Sequence, residues 1–197
     1  MALKKLKEKY SYNDYKNWED SEDWEIINGV AYNMSPSPSS EHQEIGSKIL
    51  IELGNFLKNK ECKLYYELDV ILSDENILKP DIIVVCDKSK IKKRGIFGAP
   101  DLAIEILSPS TSIKDKTLKL ELYKKYGVKE YWLVDPIYKD ITVHIFEKDE
   151  IKLYTLNNEN IPVNIFEKFA INMDDIFEKE ETKQKKEEQN EIEQEAK

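Results

Sequence analysis

The chain has 197 residues, of which 40% are hydrophobic, and 39 acidic against 30 basic side chains give a net charge of −9. This length allows one domain with a sizeable core and is short for two. The acidic balance argues against a protein that binds nucleic acid tightly at all times. The chain has no run of 18 apolar residues, and its N-terminus lacks the apolar segment of a signal peptide, so we expect a cytoplasmic protein without membrane contact.

The hydrophobic pattern predicts an α/β order. Asn28-Gly29 between two apolar stretches predicts an N-terminal hairpin of residues 24–27 and 30–34. Ser40-Glu41-His42-Gln43 resembles a capping box, and apolar residues from Ile45 to Leu57 keep a helical spacing. The later predicted elements are strands over 63–72, 80–86 and 102–107, a helix over about 113–126, strands over 131–134, 141–147 and 152–156, a turn at Pro162, and a small helix over 173–177.

The cysteine content gives little chemical signal. Cys62 and Cys86 are too few and too plainly spaced for a disulfide framework or a zinc site. We expect both to be packing residues in a reducing compartment.

Two carboxylates in apolar surroundings are the strongest chemical signal. Asp81 precedes the apolar stretch 82–85, and Glu105 lies inside the apolar stretch 102–107. A carboxylate there is costly to desolvate, and a shared divalent cation is an efficient compensation. Each residue taken alone also has a structural explanation. An Asp after Pro is typical of a turn, and a Glu on a strand can point at solvent. However, both alternating faces of 102–107 carry apolar residues, which indicates a central strand covered on both sides.

The helix that follows Glu105 carries a candidate cation. Ser112-Ile113-Lys114-Asp115 resembles a capping box with Asp in place of Glu or Gln, and Gly127 suits a helix C-terminus. Asp115, Lys119 and Tyr123 recur at i, i+4 and i+8 and share one stripe, so Lys119 can reach the preceding strand. The alternative is a surface lysine paired with Asp115.

Three consecutive motifs resemble the Uma-two family of endonucleases. They are GAPDLAIEILSPST at 98–111, Asp115-x-x-x-Lys119-x-x-x-Tyr123, and GVxEYWLVDP at 127–136. The N-terminal stretch agrees, with WEIINGV at 24–30 followed by Ser35-Pro36-Ser37 and His42. The resemblance covers residues from about 10 to 177.

The resemblance implies one nuclease domain over residues 1–177 with a restriction-endonuclease-like fold of the PD-(D/E)XK type, in which helices flank a central mixed β-sheet. In such a fold Asp81 and Glu105 hold Mg²⁺ or Mn²⁺, and a lysine assists metal-dependent hydrolysis of phosphodiester bonds in nucleic acid, with DNA as the expected polymer. Leu107 stands where the motif has its lysine, so we assign that role to Lys119. A lysine is protonated by default, which suits charge stabilisation better than general base work.

Other polar residues are candidates for supporting roles. The possible auxiliary residues are His42, Glu44, Glu67, Asp115 and Tyr123, although packing, helix capping or strand exposure would also explain them. A basic run without acids, which could hold phosphates or form a solvated loop, consists of Lys88, Lys90, Lys92, Lys93 and Arg94. Ser108-Pro109-Ser110-Thr111 has no base at a recognisable spacing, so it predicts a turn and helix start rather than a nucleophile.

Two rival functions remain open from the sequence. One is a catalytically inactive nuclease-fold module for DNA binding or assembly, which the acidic balance and the displaced lysine favour. The other is a different metal-dependent phosphoesterase. Many enzymes that cut both strands are dimers, so a homodimer is possible, but the sequence shows no self-complementary surface.

Residues 178–197 form a charged C-terminal tail with eight Glu, five Lys and almost no apolar side chains. We expect it to be disordered or to form a lone, fraying helix, because it cannot bury enough surface to offset the entropy of ordering. Truncation after Phe177 should therefore leave the melting temperature nearly unchanged. Thermal unfolding of the two chains checks this, and a drop above about 4 °C, roughly 1 kcal/mol or more for a domain of this size, would contradict it.

Overall fold

A computed structural model describes residues 8–18, 23–34, 37–156 and 160–177. Ser35, Pro36 and the predicted tail 178–197 lie outside the described residues. The helices are α1 (Tyr12–Tyr15), α2 (Ser40–Leu57), α3 (Ser112–Lys114), α4 (Leu120–Tyr126) and α5 (Met173–Ile176), with a π-helical segment at Asp115–Lys119 and short 3₁₀ turns at Lys88–Lys90 and Phe146–Lys148. The strands are β1 (Trp24–Ile27), β2 (Val30–Asn33), β3 (Lys63–Tyr66), β4 (Val70–Ser73), β5 (Asn76–Leu78), β6 (Ile82–Val85), β7 (Ile91–Lys92), β8 (Gly95–Phe97), β9 (Leu102–Ile106), β10 (Glu130–Asp135), β11 (Asp140–Ile145), β12 (Glu150–Thr155), β13 (Asn160–Pro162) and β14 (Ala170–Asn172).

The central sheet has the strand order β12-β11-β10-β9-β6-β3. It is mixed, because β9 runs parallel to β10 and antiparallel to β6. Helices α2 and α5 pack on one face, over a core that includes Ile49, Ile104 and Ile106. In the part of the chain that the structure describes, no helix is long and apolar enough to cross a membrane.

The opposite face is covered by α3, the π-helical segment and α4, which form one helical run over 112–126 (the Lys119 helix), and by a second sheet of order β2-β1-β5-β4-β8-β7. Ala103, Leu122 and Tyr131 belong to the core between these layers. The mixed α/β architecture and the N-terminal hairpin are confirmed, with Asn28 and Gly29 at φ 52° and 82° in its turn. The second sheet was not predicted.

The second sheet arises where the sequence predicted one strand over 63–72. Glu67 has a left-handed φ of 47° and ends β3 in the central sheet, and the chain resumes as β4 in the second sheet. The expectation of a single strand was therefore wrong. The alternation of polar and apolar residues continues through the break, so it could not reveal the change of direction.

The prediction of a central strand around Glu105 is confirmed. All five residues of β9 are buried, and β9 lies between β10 and β6. Even-numbered side chains of β9 face the α2 layer and odd-numbered ones face the Lys119 helix. Glu105 therefore points into the layer where Lys119 lies.

Both predicted capping boxes were wrong in detail. Ser39, not Ser40, caps α2, and its Oγ accepts from the His42 N–H at 3.2 Å. Ser112 is the first residue of its helix, and the N-cap Thr111 accepts no capping hydrogen bond through its side chain. The predicted C-cap is confirmed, because Gly127 adopts φ 85°. Pro162 ends β13 rather than lying within a turn.

The expectation of unbridged cysteines was also wrong, because Cys62 and Cys86 form a disulfide. Lys63 pairs with Val85 across β3 and β6, and the next pair outward is Cys62 with Cys86. A separation of 24 residues is uninformative until the strands are known to pair. The disulfide closes the end of this ladder opposite to Asp81.

Ile104 is fully buried, and it packs in the core between β9 and α2. We expect Ile104→Ala to lower the free energy of unfolding by roughly 2 to 5 kcal/mol, through lost burial and a residual cavity. Urea unfolding monitored by circular dichroism measures this. Ile151→Ala is the control, because Ile151 is 67% exposed and should cost little. A loss under about 1 kcal/mol for Ile104→Ala would be inconsistent with a packed central strand.

Candidate active site

One end of the central sheet gathers the acidic residues that the sequence selected. Ile82 pairs with Ile104, so one further step along the antiparallel register sets Asp81 opposite Glu105. On its other side, Asp81 accepts the backbone N–H of Glu67 through its carbonyl oxygen at 2.9 Å. The acidic residues Glu67, Asp81 and Glu105 therefore lie on three neighbouring chain segments, at the same end of the central sheet.

Asp81 is held by the backbone of β9 and by α2. Its Oδ2 accepts the Ile106 N–H at 2.6 Å and lies 3.3 Å from His42 Nε2. Gly46 permits this close approach of α2, because a Cβ there would lie only 3.2 Å from the Cδ1 of Ile106. Burial lowers the pKa of His42, but the hydrogen bond and charge of Asp81 outweigh it, so the pKa is raised above its ordinary value.

Lys119 is the centre of a buried ionic cluster. Its side chain is 1% exposed, which excludes the alternative of a surface lysine. Nζ lies 2.8 Å from Glu25 Oε1, 3.0 Å from Glu105 Oε1 and 3.1 Å from Asp115 Oδ1. The π-helical segment that runs from Asp115 to Lys119 presents both side chains to the sheet, and such segments often occur at functional sites.

Glu25 is a site residue that the sequence reasoning missed. It lies on β1 in the second sheet and is 0% exposed. Besides Lys119, it contacts Lys114 Nζ at 3.7 Å and accepts the Lys79 N–H at 3.0 Å. Its sequence signal was present, since a glutamate stands among apolar residues of the predicted hairpin, but its partner is 94 residues away and on another sheet.

The cluster shifts the pKa values of its members. Burial raises the pKa of Glu105 well above its ordinary value, against the opposing charge of Lys119. Burial likewise raises the pKa of Asp115, again against Lys119. Burial alone would lower the pKa of Lys119, but the three carboxylates prevail and raise it well above its ordinary value. Lys119 therefore stays protonated, which disfavours it as a general base.

Two tyrosines complete the inner wall. The Tyr123 hydroxyl donates to Glu105 Oε1 at 3.1 Å, and the Tyr131 hydroxyl donates to the Asp115 carbonyl oxygen at 3.1 Å. Burial raises the pKa of both phenols well above the ordinary value, so both are neutral donors. They hold Glu105 and the helix backbone in place.

A cavity of about 470 Å³ opens onto this cluster. Its charged and imidazole lining groups are His42, Asp81, Glu105, Lys119 and Glu41. Its hydroxyl groups come from Ser37, Ser39, Ser108, Ser110 and Thr111, and its apolar wall from Met34, Pro38, Ile106, Leu107, Pro109, Pro136 and Ile137. The cavity thus joins a charged floor to an apolar wall.

The hydroxyls at 108–111 lie at the start of the Lys119 helix, as predicted. Ser108 Oγ is 3.0 Å from Ser110 Oγ and 3.0 Å from Thr111 Oγ1. Hydroxyls at a cavity rim can contact phosphate oxygens, a possibility that the sequence reasoning passed over.

The remaining candidates lie outside the cavity. Glu44 is exposed and pairs with Lys48 at 2.7 Å, beside a different pocket. Glu67 is exposed at the site edge and accepts from Gln43 Nε2 at 3.3 Å. The structure thus brings together Asp81, Glu105, Lys119, His42, Asp115 and Tyr123, but not Glu44 or Glu67.

The basic run lies at the other end of β6 from Asp81. Lys90 Nζ donates to the Ala99 carbonyl at 2.9 Å and Arg94 to the Lys16 carbonyl at 2.7 Å. β6 alone separates the run from Asp81 by roughly 13 Å, at about 3.3 Å per residue. None of these five cations lines the cavity.

Comparisons with known proteins identify the family of the chain. The sequence profile of Uma2, described as "putative restriction endonuclease", matches residues 12–174. The chain belongs to the Uma2 family. "Uncharacterized protein slr1290" of Synechocystis sp. (strain ATCC 27184 / PCC 6803 / Kazusa) is 28% identical over 155 residues, which are 77% of this chain and 76% of that protein.

A solved structure has the same fold. It is described as "a putative nuclease belonging to DUF820 from Anabaena variabilis ATCC 29413", with a TM-score of 0.72 and 23% identity over 85% of this chain and 97% of that one. The chain thus has the restriction-endonuclease-like architecture of a Uma2 protein, with the hairpin, α2 and the Lys119 helix around a central mixed sheet.

The floor of the cavity offers two carboxylates, Asp81 and Glu105, to a divalent cation. Among the described residues, no group of three or more His, Cys, Asp or Glu could hold a metal by itself. The hydrogen bonds of Glu105 use Oε1 and the contacts of Asp81 use Oδ2, so within the described part of the chain one oxygen of each remains for a metal. Magnesium often binds through one or two carboxylates plus water and phosphate oxygens, so the residues fit.

Replacing the central lysine tests the electrostatics of the cluster. Because burial raises the pKa values of Glu105 and Asp115, their contribution to stability is full below their ordinary pKa of about 4 and is lost as the pH rises through the raised values. Lys119→Met raises those pKa values further. The free energy of unfolding should fall by about 3 to 5 kcal/mol near pH 8, and the deficit should shrink as the pH falls.

Urea unfolding at several pH values between 5 and 8 measures this deficit. Lys124→Met is the matched control, since Lys124 is on the same helix but 59% exposed and pairs with the exposed Asp149. Parallel stability curves for Lys119→Met and wild type across this pH range would contradict the cluster as described.

Proposed function

We propose that this Uma2 protein is a metal-dependent endonuclease that hydrolyses phosphodiester bonds of nucleic acid, with DNA as the expected substrate. The observation that carries the proposal is the convergence of Asp81, Glu105 and Lys119 on one cavity. Two oxygen ligands and a protonated amine match the needs of phosphoryl hydrolysis, where charge develops on non-bridging oxygens. Family membership in Uma2 and the nuclease-like fold support the same reaction class.

Each site residue has a distinct role in the proposed reaction. Asp81 and Glu105 would hold Mg²⁺ or Mn²⁺, which, when bound, supplies polarisation of the scissile phosphate and activation of water. Lys119 donates to a phosphate oxygen and stabilises its developing charge. His42 orients Asp81 through their 3.3 Å contact. Asp115 and Tyr123 orient Lys119 and Glu105 from within the helix.

A second candidate function is a catalytically inactive nuclease-fold module for DNA binding or assembly. The observation that favours it is the neutralisation of Lys119 by three carboxylates, which removes cationic charge from the cavity. Catalysis requires Glu105 to exchange Lys119 for a metal, and Lys119 to exchange a carboxylate for a phosphate oxygen. Cleavage assays separate the two functions.

Further expectations complete the proposal. The basic run would contact phosphates away from the cut, at a distance of roughly four nucleotides given about 3.4 Å per nucleotide along one strand.

A cytoplasmic location and a possible homodimer stay predictions from the sequence. Cleavage of polymers rather than mononucleotides would exclude the alternative of a different phosphoesterase.

Charge-removing variants test the site directly. Asp81→Asn and Glu105→Gln should each abolish magnesium-dependent cleavage and weaken metal binding, because each keeps its shape and loses a ligand charge. Lys119→Met should lower turnover by about 100-fold or more while metal affinity is kept or rises, since a nearby cation no longer opposes the ion. Nicking of plasmid and of single-stranded substrates, with calorimetry in Mg²⁺, measures these effects below the melting temperature of each variant.

Matched controls exist in the same sheet. Asp101→Asn and Glu130→Gln replace buried acids at the opposite end of β9 and β10, where they bind the Cys86 N–H and Trp132 Nε1. Both controls should retain cleavage. Cleavage at the wild-type level in Asp81→Asn would exclude the assignment of the nuclease site, and unchanged turnover in Lys119→Met would show that the lysine was misassigned.

A further inference from the structure

The proposed catalytic groups lie at the bottom of a cavity rather than on an open surface. Glu105 is 3% exposed, Lys119 is 1% exposed, and the side chain of Asp81 is 15% exposed. A paired strand keeps its bases stacked inside a duplex, which limits how far one of its phosphates can leave the helix. Enzymes whose target atom lies inside the stack act on single strands or extrude a nucleotide, and a recessed phosphate site is likewise easier to reach for an unpaired strand.

The apolar wall of the cavity favours contact with an apolar group of the substrate. Met34, Leu107, Pro109 and Pro136 line it beside the charged floor. A phosphate gains nothing from such a wall, whereas the face of a base can stack on it. One unpaired nucleotide would satisfy both surfaces, with its phosphate on the floor and its base against the wall.

The turn between β10 and β11 places one large apolar side chain, Ile137, on this wall, and Tyr138 follows it directly in the chain. Ile137 lines the cavity, yet it is 75% exposed, and Tyr138 beside it is also 75% exposed. Asp135 fixes the turn, because its Oδ1 accepts the Ile137 N–H at 3.1 Å and the Tyr138 N–H at 3.3 Å. Lys116 Nζ lies 3.5 Å from the Asp135 carboxylate and links the turn to the Lys119 helix.

We propose that the turn 135–138 holds an unpaired base beside the scissile phosphate, with Tyr138 stacking on the base and Ile137 packing against it. The substrate class is then a nucleic acid with unpaired nucleotides, such as a single strand, a flap or a bubble, rather than an intact duplex. This inference rests on the proposed function, because it places the scissile phosphate over Asp81 and Glu105. An aromatic ring stacks on every base with little sequence preference, so the turn selects pairing state and not sequence.

Binding measurements test the stacking separately from catalysis. Oligonucleotides with one 2-aminopurine, as single strands of DNA or RNA and as fully paired duplexes, are titrated with the full chain in EDTA so that none is cut. Wild type should bind unpaired oligonucleotides at least 10-fold more tightly than duplexes and change the 2-aminopurine fluorescence. Tyr138→Ala should weaken binding of unpaired oligonucleotides by about 10-fold and remove most of that change.

Two further variants separate stacking from general surface effects. Tyr138→Phe keeps the ring and should bind like wild type. Ile151→Ala removes an exposed apolar side chain on the outer strand β12, outside the cavity, and should also bind like wild type. Equal affinity for paired and unpaired oligonucleotides, or unchanged affinity and fluorescence in Tyr138→Ala, overturns the inference.

Cleavage by wild type in Mg²⁺ distinguishes failure of the nuclease proposal from failure of the proposed selection of unpaired nucleotides. If wild type cuts duplex and single strands at equal rates, the nuclease assignment stands and the selection of unpaired nucleotides is overturned. If wild type cuts no polymer but shows Tyr138-dependent binding of unpaired strands, the catalytic proposal fails and the base-stacking turn stands. The DNA and RNA arms identify which polymer the turn accepts.

Discussion

The contact of one buried cation with three buried carboxylates is the interaction on which the rest of this structure depends. Lys119 reaches Glu25 on the second sheet, Glu105 on the central sheet and Asp115 on its own helix. Two sheets and one helix therefore contact the same ammonium group. Removing any of these charges from water costs several kcal/mol, so each must be compensated by the others.

Such a cluster is a poor way to gain stability. Apolar residues of similar volume often stabilise a protein core as well as a buried ionic group does, or better. Its presence between a well-packed apolar core and a cavity is better explained by function, since perturbed pKa values and desolvated charges concentrate at catalytic sites. Three acids and one base leave an excess of negative charge when all are ionised, and this excess faces the cavity through Glu105, beside the separate carboxylate of Asp81.

The sequence predicted those parts of the fold and site whose signals are local. The burial of both faces of β9 follows from the alternation of its own residues. The orientation of Lys119 towards the preceding strand follows from the helical spacing of Asp115, Lys119 and Tyr123. Both signals lie within one segment of the chain. Glu25 and the Cys62–Cys86 disulfide depend on pairings between distant strands. At Glu67 the chain leaves the central sheet for the second one, but no distinctive residue type marks this change of backbone direction. Glu25, the partner of Lys119 on the second sheet, could therefore not be inferred.

The same ionic cluster constrains how a polyanion could be bound. With Lys119 neutralised by its partners and a net charge of −9, the cavity offers little long-range attraction to phosphates. Affinity must then come from cations outside the cavity, such as the basic run, and from contacts that do not depend on charge. The exposed side chains of Ile137 and Tyr138 are of that second kind, and they lie on the turn that Asp135 fixes beside the site. If Lys119 acts on the phosphate as proposed, its burial calls for apolar recognition at the rim, because a phosphate that meets a neutralised cation gains little free energy of binding.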